Sequence, residues 1–178
     1  MAVVIWRHPK PLNAQGLCLG RTDLAVDPRR IRRLAYSIQA FARRQQLPAR
    51  LYVSPLQRSW QVGHFLQQQG WEVLEDPALV ELDFGQWEGL AWSEIPKTAI
   101  DAWCDNFLHS APGQGESLAQ LVQRVHHWLQ QPSRTPRLVV GHAGWITAAR
   151  WVHLGLPPPE RAQDWPAPPA YSQRTLLY

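Results

Sequence analysis

Ala2-Val3-Val4-Ile5-Trp6-Arg7-His8 opens with a short apolar run, rich in β-branched residues, that stops at a charged and a titratable side chain. Far downstream, Leu138-Val139-Val140 stops in the same way at Gly141-His142. Short apolar runs bounded by polar or turn residues read as buried strands. In an open α/β sheet, ligands bind where the carboxyl ends of the strands meet. Two strands that each end in histidine therefore predict one sheet edge at which both imidazoles and Arg7 converge. A neutral imidazole is a nucleophile, and a guanidinium grips anionic oxygens with a planar fork, so the pattern points to phosphate chemistry.

Outward from these strands, residues 9 to 27 read as loop, punctuated by Pro9, Pro11, Gly16 and Gly20. Asp27-Pro28 offers an N-cap and a first-turn proline. Ile31, Leu34, Ala35, Ile38, Phe41 and Ala42 then recur at helical spacing, predicting a helix to about Gln46. Leu51-Tyr52-Val53 is a short strand. Ser54-Pro55-Leu56-Gln57 repeats the cap and proline, with Gln57 placed for a capping box, before a helix ending near Gly70. Residues 72 to 74 read as a strand, 79 to 82 as extended and 84 to 89 as a turn-rich loop. One or two short helices follow between 92 and 108, broken at Pro96. Pro112, Gly113 and Gly115 predict a mobile connection over residues 109 to 115. Residues 116 to 131 carry the strongest amphipathic helix pattern. A strand at 138 to 141, a helix at 145 to 154, a proline-rich stretch at 157 to 169 and a strand at 175 to 178 complete the reading. Strands alternating with helices predict an α/β fold, a three-layer sandwich with a mostly parallel central sheet flanked by helices.

The length suits a single domain over residues 1–178. Hydrophobic residues at 45% and charged residues at 18% exclude a disordered chain, and no apolar run approaches a membrane span. No basic leader precedes the first strand, so a cytoplasmic protein is expected. Cys18 and Cys104 fit no metal-ligand spacing and read as reduced thiols. The net charge of +4 is spread out; its densest cluster, Arg29, Arg30, Arg32 and Arg33, reads as the solvated face of a helix. No groove-reading motif accompanies it, so neither nucleic acid nor membrane is expected as a partner. Among the tryptophans, Trp128 and Trp151 fall on apolar faces and read as core, whereas Trp87 and Trp92 flank the proposed site.

Ser54-Pro55-Leu56-Gln57-Arg58 places a second arginine in the opening turn of a helix, where free backbone amides favour an anion. Glu81-Leu82-Asp83-Phe84-Gly85-Gln86-Trp87-Glu88-Gly89 sets a carboxyl among apolar and aromatic residues, a setting for a proton donor to a leaving alkoxide. Composition alone does not choose among Glu81, Asp83 and Glu88 for that role.

These two motifs, with Arg7-His8, Gly115-Glu116-Ser117 and Gly141-His142-Ala143-Gly144, resemble in order and spacing the histidine phosphatase superfamily, which includes the cofactor-dependent phosphoglycerate mutases. The resemblance runs to about Leu156 and implies a phosphoglycerate mutase-like fold. Gly16-Leu17-Cys18-Leu19-Gly20-Arg21-Thr22-Asp23-Leu24 and the Trp-Glu-Gly pattern at 87 to 92 are similar to the α-ribazole phosphatase branch of cobalamin synthesis. Carried over, the resemblance implies His8 as a nucleophile that forms a phosphohistidine. It implies Arg7, Arg58 and His142 as phosphoryl ligands, and Glu81 as the acid and later the base. No metal or other cofactor is required. The substrate is then a small phosphorylated metabolite, α-ribazole 5′-phosphate or adenosylcobalamin 5′-phosphate, handled by a monomer or homodimer. The alternatives are a mutase or broad-specificity phosphatase of the same superfamily, and a non-catalytic phosphate-binding regulatory module. Pro9 departs from the usual glycine and deletes a backbone donor beside the nucleophile. Lys10-Pro11 replaces a common Glu-Thr pair, and Asn13 is expected at a phosphoryl oxygen across a loop one residue shorter than usual.

Overall fold

The computed structural model describes residues 2–178. Strands β1 (Val3–Arg7), β2 (Arg50–Val53), β3 (Glu72–Glu75), β4 (Arg137–Gly141) and β5 (Arg174–Leu177) form one sheet in the order β3-β2-β4-β1-β5. All pairings are parallel except β5 against β1. Helices α1 (Pro28–Arg44), α2 (Gln57–Gln67), α3 (Lys97–Asp105), α4 (Leu118–Gln130) and α5 (Ala143–His153) complete the expected three-layer sandwich.

The layers follow from the period of two along each strand. Val4 and Trp6 of β1, with Leu138 and Val140 of β4, pack into the core that holds the apolar faces of α1 and α2. Val3, Ile5 and Val139 point the other way, into the core that holds α4 and α5. Both faces of the central strands are thus covered, and each fully buried aliphatic or aromatic side chain contributes roughly 1.5–3 kcal/mol. The six apolar residues that predicted α1 are all buried, and the Asp27 carboxylate accepts from the Arg29 amide as its cap. Trp128 is core, donating its indole N–H to Asp76 at 2.7 Å. Trp151, expected in the core, is half-buried and stacks on Trp165 of the proline-rich stretch instead.

Two local expectations change. Ser54 does not cap α2; the cap position falls on Leu56, which makes no side-chain bond. The first helical amide, that of Gln57, is instead taken by the Asp23 carboxylate at 2.8 Å, from a loop remote in sequence. Residues 109 to 115 are not a free connection. Asp83 O accepts from the Glu116 amide at 2.8 Å, and Gly113, at φ 57°, lies so close that an added Cβ would stand 2.2 Å from Phe84 O. Beyond it α4 opens on a Ser117/Gln120 capping box that the sequence reading passed over.

The register sets the site. Arg7 pairs with Gly141, and the His8 amide donates to Gly141 O at 2.9 Å, so His8 and His142 leave the sheet side by side. Because β4 lies between β1 and β2, Ser54 at the end of β2 flanks His142 on the other side.

The packing at Gly113 is testable against Gly70, whose φ of 86° is also left-handed but whose added Cβ would touch nothing within 4 Å. Gly70→Ala pays only the backbone penalty, about 1 kcal/mol. Gly113→Ala pays that and a backbone collision, so urea denaturation should show a clearly larger loss of stability for Gly113→Ala.

Candidate active site

His8 is 5% exposed, and its Nδ1 lies 2.8 Å from Pro9 O. A carbonyl only accepts, so Nδ1 carries the hydrogen and Nε2 presents a lone pair. The proline that removes a backbone donor thus supplies the acceptor that fixes the tautomer of its neighbour. Burial, with the Arg58 and Arg7 charges nearby, holds His8 well below the ordinary imidazole value of 6.5, although the Pro9 bond works the other way. The imidazole is neutral.

His142 is fully buried beside it, with ring centroids 5.0 Å apart. Arg58 Nε donates to His142 Nδ1 at 3.2 Å, so the remaining ring hydrogen sits on Nε2, 2.6 Å from the Ser54 hydroxyl. Ser54 therefore acts here rather than at the helix cap. Burial, then Arg58 and His8, also push His142 well below 6.5.

The two guanidiniums are held by neutral groups. Arg58 is buried in the first turn of α2, donating to Thr22 O at 2.8 Å and to Gly20 O. Arg7 donates to Pro169 O at 2.7 Å and lies 3.8 Å from the centre of the Tyr171 ring, while its buried Nε has no partner among the described residues. Neither arginine is in an ion pair with a described carboxylate. Nearby carboxylates act on both arginines but none pairs with them directly, which leaves the two guanidiniums at one sheet edge open to an anion.

The three competing carboxyls separate clearly. Glu81 is 7% exposed and faces the same cavity as His8, Arg7 and Arg58. Its Oε1 accepts from the Leu82 and Trp145 amides, each at 3.1 Å, and its Oε2 from the Gly144 amide at 2.9 Å. It is thus seated on the N-terminus of α5 rather than surrounded by apolar groups alone, and a Cβ on Gly144 would come within 2.6 Å of Oε1. Asp83 binds the Gly85 amide and pairs with Arg21 at 3.2 Å. Glu88 accepts from the amides of Gly20, Arg21, Thr22 and Phe84 and from the Thr22 hydroxyl. Neither of those two lines the cavity.

That cavity measures about 520 Å³. Beyond its charged end the wall is apolar and largely aromatic, including Leu17, Phe84, Trp92, Trp103, Phe107 and Trp165. Trp92 lines it as expected; Trp87 stands behind, edge-on to Trp103. Trp165 comes from the proline-rich stretch and Tyr171 from the turn between it and β5, and no sequence motif announced either contribution. His142, fully buried with its ring nitrogens engaged by Arg58 and Ser54, does not line the cavity, and neither does a second expected ligand, Asn13. It is exposed, takes a left-handed φ of 55° and lines a shallower neighbouring depression. The Pro11/Val26 bridge and the Leu12 amide bond to Ala25 O turn this short loop outward.

No curated protein matches the chain. Among solved structures, the α-ribazole phosphatase from Shigella flexneri superposes with a TM-score of 0.81 at 22% identity, covering 99% of this chain and 89% of that one. A mycobacterial glucosyl-3-phosphoglycerate phosphatase superposes at 0.78 with 23% identity, covering 98% and 88%. A Thermus thermophilus protein, TTHB049, superposes at 0.73 with 24% identity, covering 99% and 92%. At such identities these likenesses establish the fold. The family model covers residues 3–172, nearly the whole chain, and on that match the chain belongs to the histidine phosphatase superfamily, branch 1.

Proposed function

We propose that this phosphoric monoester hydrolase works through a phosphohistidine on Nε2 of His8, with no metal ion. The observation that carries the reading is the Nδ1–H bond to Pro9 O, which leaves Nε2 as the free lone pair in a site where imidazole stays neutral. Nε2 attacks phosphorus while the bond from phosphorus to the ester oxygen breaks, and that oxygen keeps the electron pair. Glu81, in its acid form, gives the oxygen a proton. Water then attacks the phosphohistidine, Glu81 takes the proton back, and phosphate leaves with His8 neutral again. Arg7 and Arg58 hold the phosphoryl oxygens, and His142, expected beside them as a ligand, keeps both ring nitrogens on Arg58 and Ser54 and so fixes Arg58 from behind. Such charge stabilisation is the main work of protein in phosphoryl transfer.

The favoured substrate is α-ribazole 5′-phosphate or adenosylcobalamin 5′-phosphate, a role in cytoplasmic cobalamin synthesis. The aromatic wall supports a ring-bearing leaving group. Arg7 and Arg58 are the only cationic side chains along the described lining, and both sit at the phosphoryl end. A phosphoglycerate would bring a carboxylate with no third cation to meet it. Steady-state kinetics should therefore favour α-ribazole 5′-phosphate over 3-phosphoglycerate by roughly 100-fold in kcat/KM, since an unpaired polar group is strongly rejected. Equal rates would remove this assignment.

His8→Ala should abolish turnover of p-nitrophenyl phosphate and the labelled phosphoenzyme seen on acid-free quenching, with circular dichroism unchanged. Glu81→Gln should cost about 10²–10⁴-fold on an alkyl phosphate, whose leaving oxygen needs the proton, and far less on p-nitrophenyl phosphate. A loss equal for both would place Glu81 outside proton transfer.

Neutral burial of two imidazoles also fixes a pH response. Both folded values lie below 6.5, so below that pH the unfolded chain binds more protons than the folded one. The stabilisation is complete above 6.5 and falls as acid is added, by up to about 1.4 kcal/mol per pH unit for each imidazole, until the folded groups protonate. Urea midpoints measured from pH 8 to 5 should drop below 6.5 in the wild type and drop less steeply in His8→Ala.

A further inference from the structure

We infer that Glu88 is a positioning residue for Arg58, acting through the short loop that separates them. The inference rests on the phosphohistidine reading above, in which Arg58 holds the phosphoryl group. Residues 20 to 22 lie between a carboxylate and a guanidinium. On one side Glu88 accepts from the Gly20 amide at 3.2 Å, the Arg21 amide at 2.7 Å, the Thr22 amide at 2.8 Å and the Thr22 hydroxyl at 2.5 Å. On the other side the carbonyls of Gly20 and Thr22 accept from the two terminal nitrogens of Arg58. The Gly20–Arg21 peptide unit is thus bonded at both ends, its N–H to Glu88 and its carbonyl to Arg58, and each bond polarises the other.

The stack leaves no room for slack. A Cβ on Gly20 would stand 1.9 Å from Leu82 O and 2.4 Å from Glu88 Oε1. Glu88 also takes the Phe84 amide at 3.0 Å, tying this loop to the segment that follows Glu81. Burial opposes the charge, yet the Thr22 hydroxyl and the amides of Arg21, Phe84 and Thr22 hold the Glu88 carboxyl below its ordinary value of 4.5. Being anionic and outside the cavity, it attracts Arg58 without occupying the place of a phosphoryl oxygen. With two carbonyls and one imidazole nitrogen fixing three of its nitrogens, Arg58 keeps one orientation.

The test is a double-mutant cycle read by calorimetric titration of the full chain with orthovanadate, which needs no turnover. Glu88→Gln keeps the shape but replaces an accepting oxygen by a donor, and should weaken vanadate binding by roughly tenfold. Arg58→Ala should weaken it at least as much, and adding Glu88→Gln to Arg58→Ala should cost nothing more, the non-additivity expected of one coupled unit. The ratio of kcat/KM for p-nitrophenyl phosphate to that for an alkyl phosphate should stay at the wild-type value in Glu88→Gln, whereas Glu81→Gln changes it. Unchanged vanadate affinity, or an equal loss in both backgrounds, overturns the inference. A changed leaving-group ratio does too, and returns Glu88 to the role of acid. Should Glu88→Gln fail to fold, Thr22→Val removes one donor, and its smaller loss must likewise vanish beside Arg58→Ala. A wild type that binds vanadate with this coupling but forms no phosphohistidine would refute the catalytic reading alone.

Discussion

The parallel pairing of β1 with β4 is the constraint on which the site depends. Matching Arg7 to Gly141 places the next residue of each strand, His8 and His142, at the same height on the sheet edge. A slip of one residue would turn every side chain of β1 to the opposite face. Val4 and Trp6 would then leave the layer of α1 and α2, and the register is thus enforced by both cores at once. The chemistry at the edge inherits its geometry from apolar packing some distance below it.

Around that edge the charges are sorted rather than cancelled. The guanidiniums rest on carbonyls, an imidazole and an aromatic ring, and the imidazoles are kept neutral by burial and by those same guanidiniums. Each carboxylate has its own partners: Glu81, in the cavity wall, the amides of α5; Glu88, outside it, the loop of residues 20 to 22; Asp83, also outside it, Arg21. Desolvating unpaired cations costs stability. The gain is a cradle whose charge is free for a dianion.

Much of this was legible in the chain. The apolar runs ending at His8 and His142, the Asp27-Pro28 start of α1 and the alternation of periods all act within a few residues, so the residues themselves declare them. What escaped the reading depends on partners far apart in sequence. Ser54 looks like a helix cap until His142 arrives beside it, and Asp23 then caps α2 instead. Glu81, Asp83 and Glu88 share one composition and differ only in which amides face them. Gly113 looks like a flexible hinge because its left-handed φ is common to loose and tight turns alike. Asn13 owes its expected place to the resemblance alone, and the Pro11/Val26 bridge turns it away.

The bond from Arg7 to Pro169 O joins residues 162 positions apart, and Trp165 and Tyr171 on either side of that proline close the cavity around His8. At ribosomal speeds of about 5–20 residues per second, that separation corresponds to roughly ten to thirty seconds of synthesis. Throughout that interval the emerging histidine is wet, ordinary and unpoised, because the wall that dries it has not yet been made. Chemical competence in this fold is therefore a late event of biogenesis, withheld from nascent chains until the strap has come down.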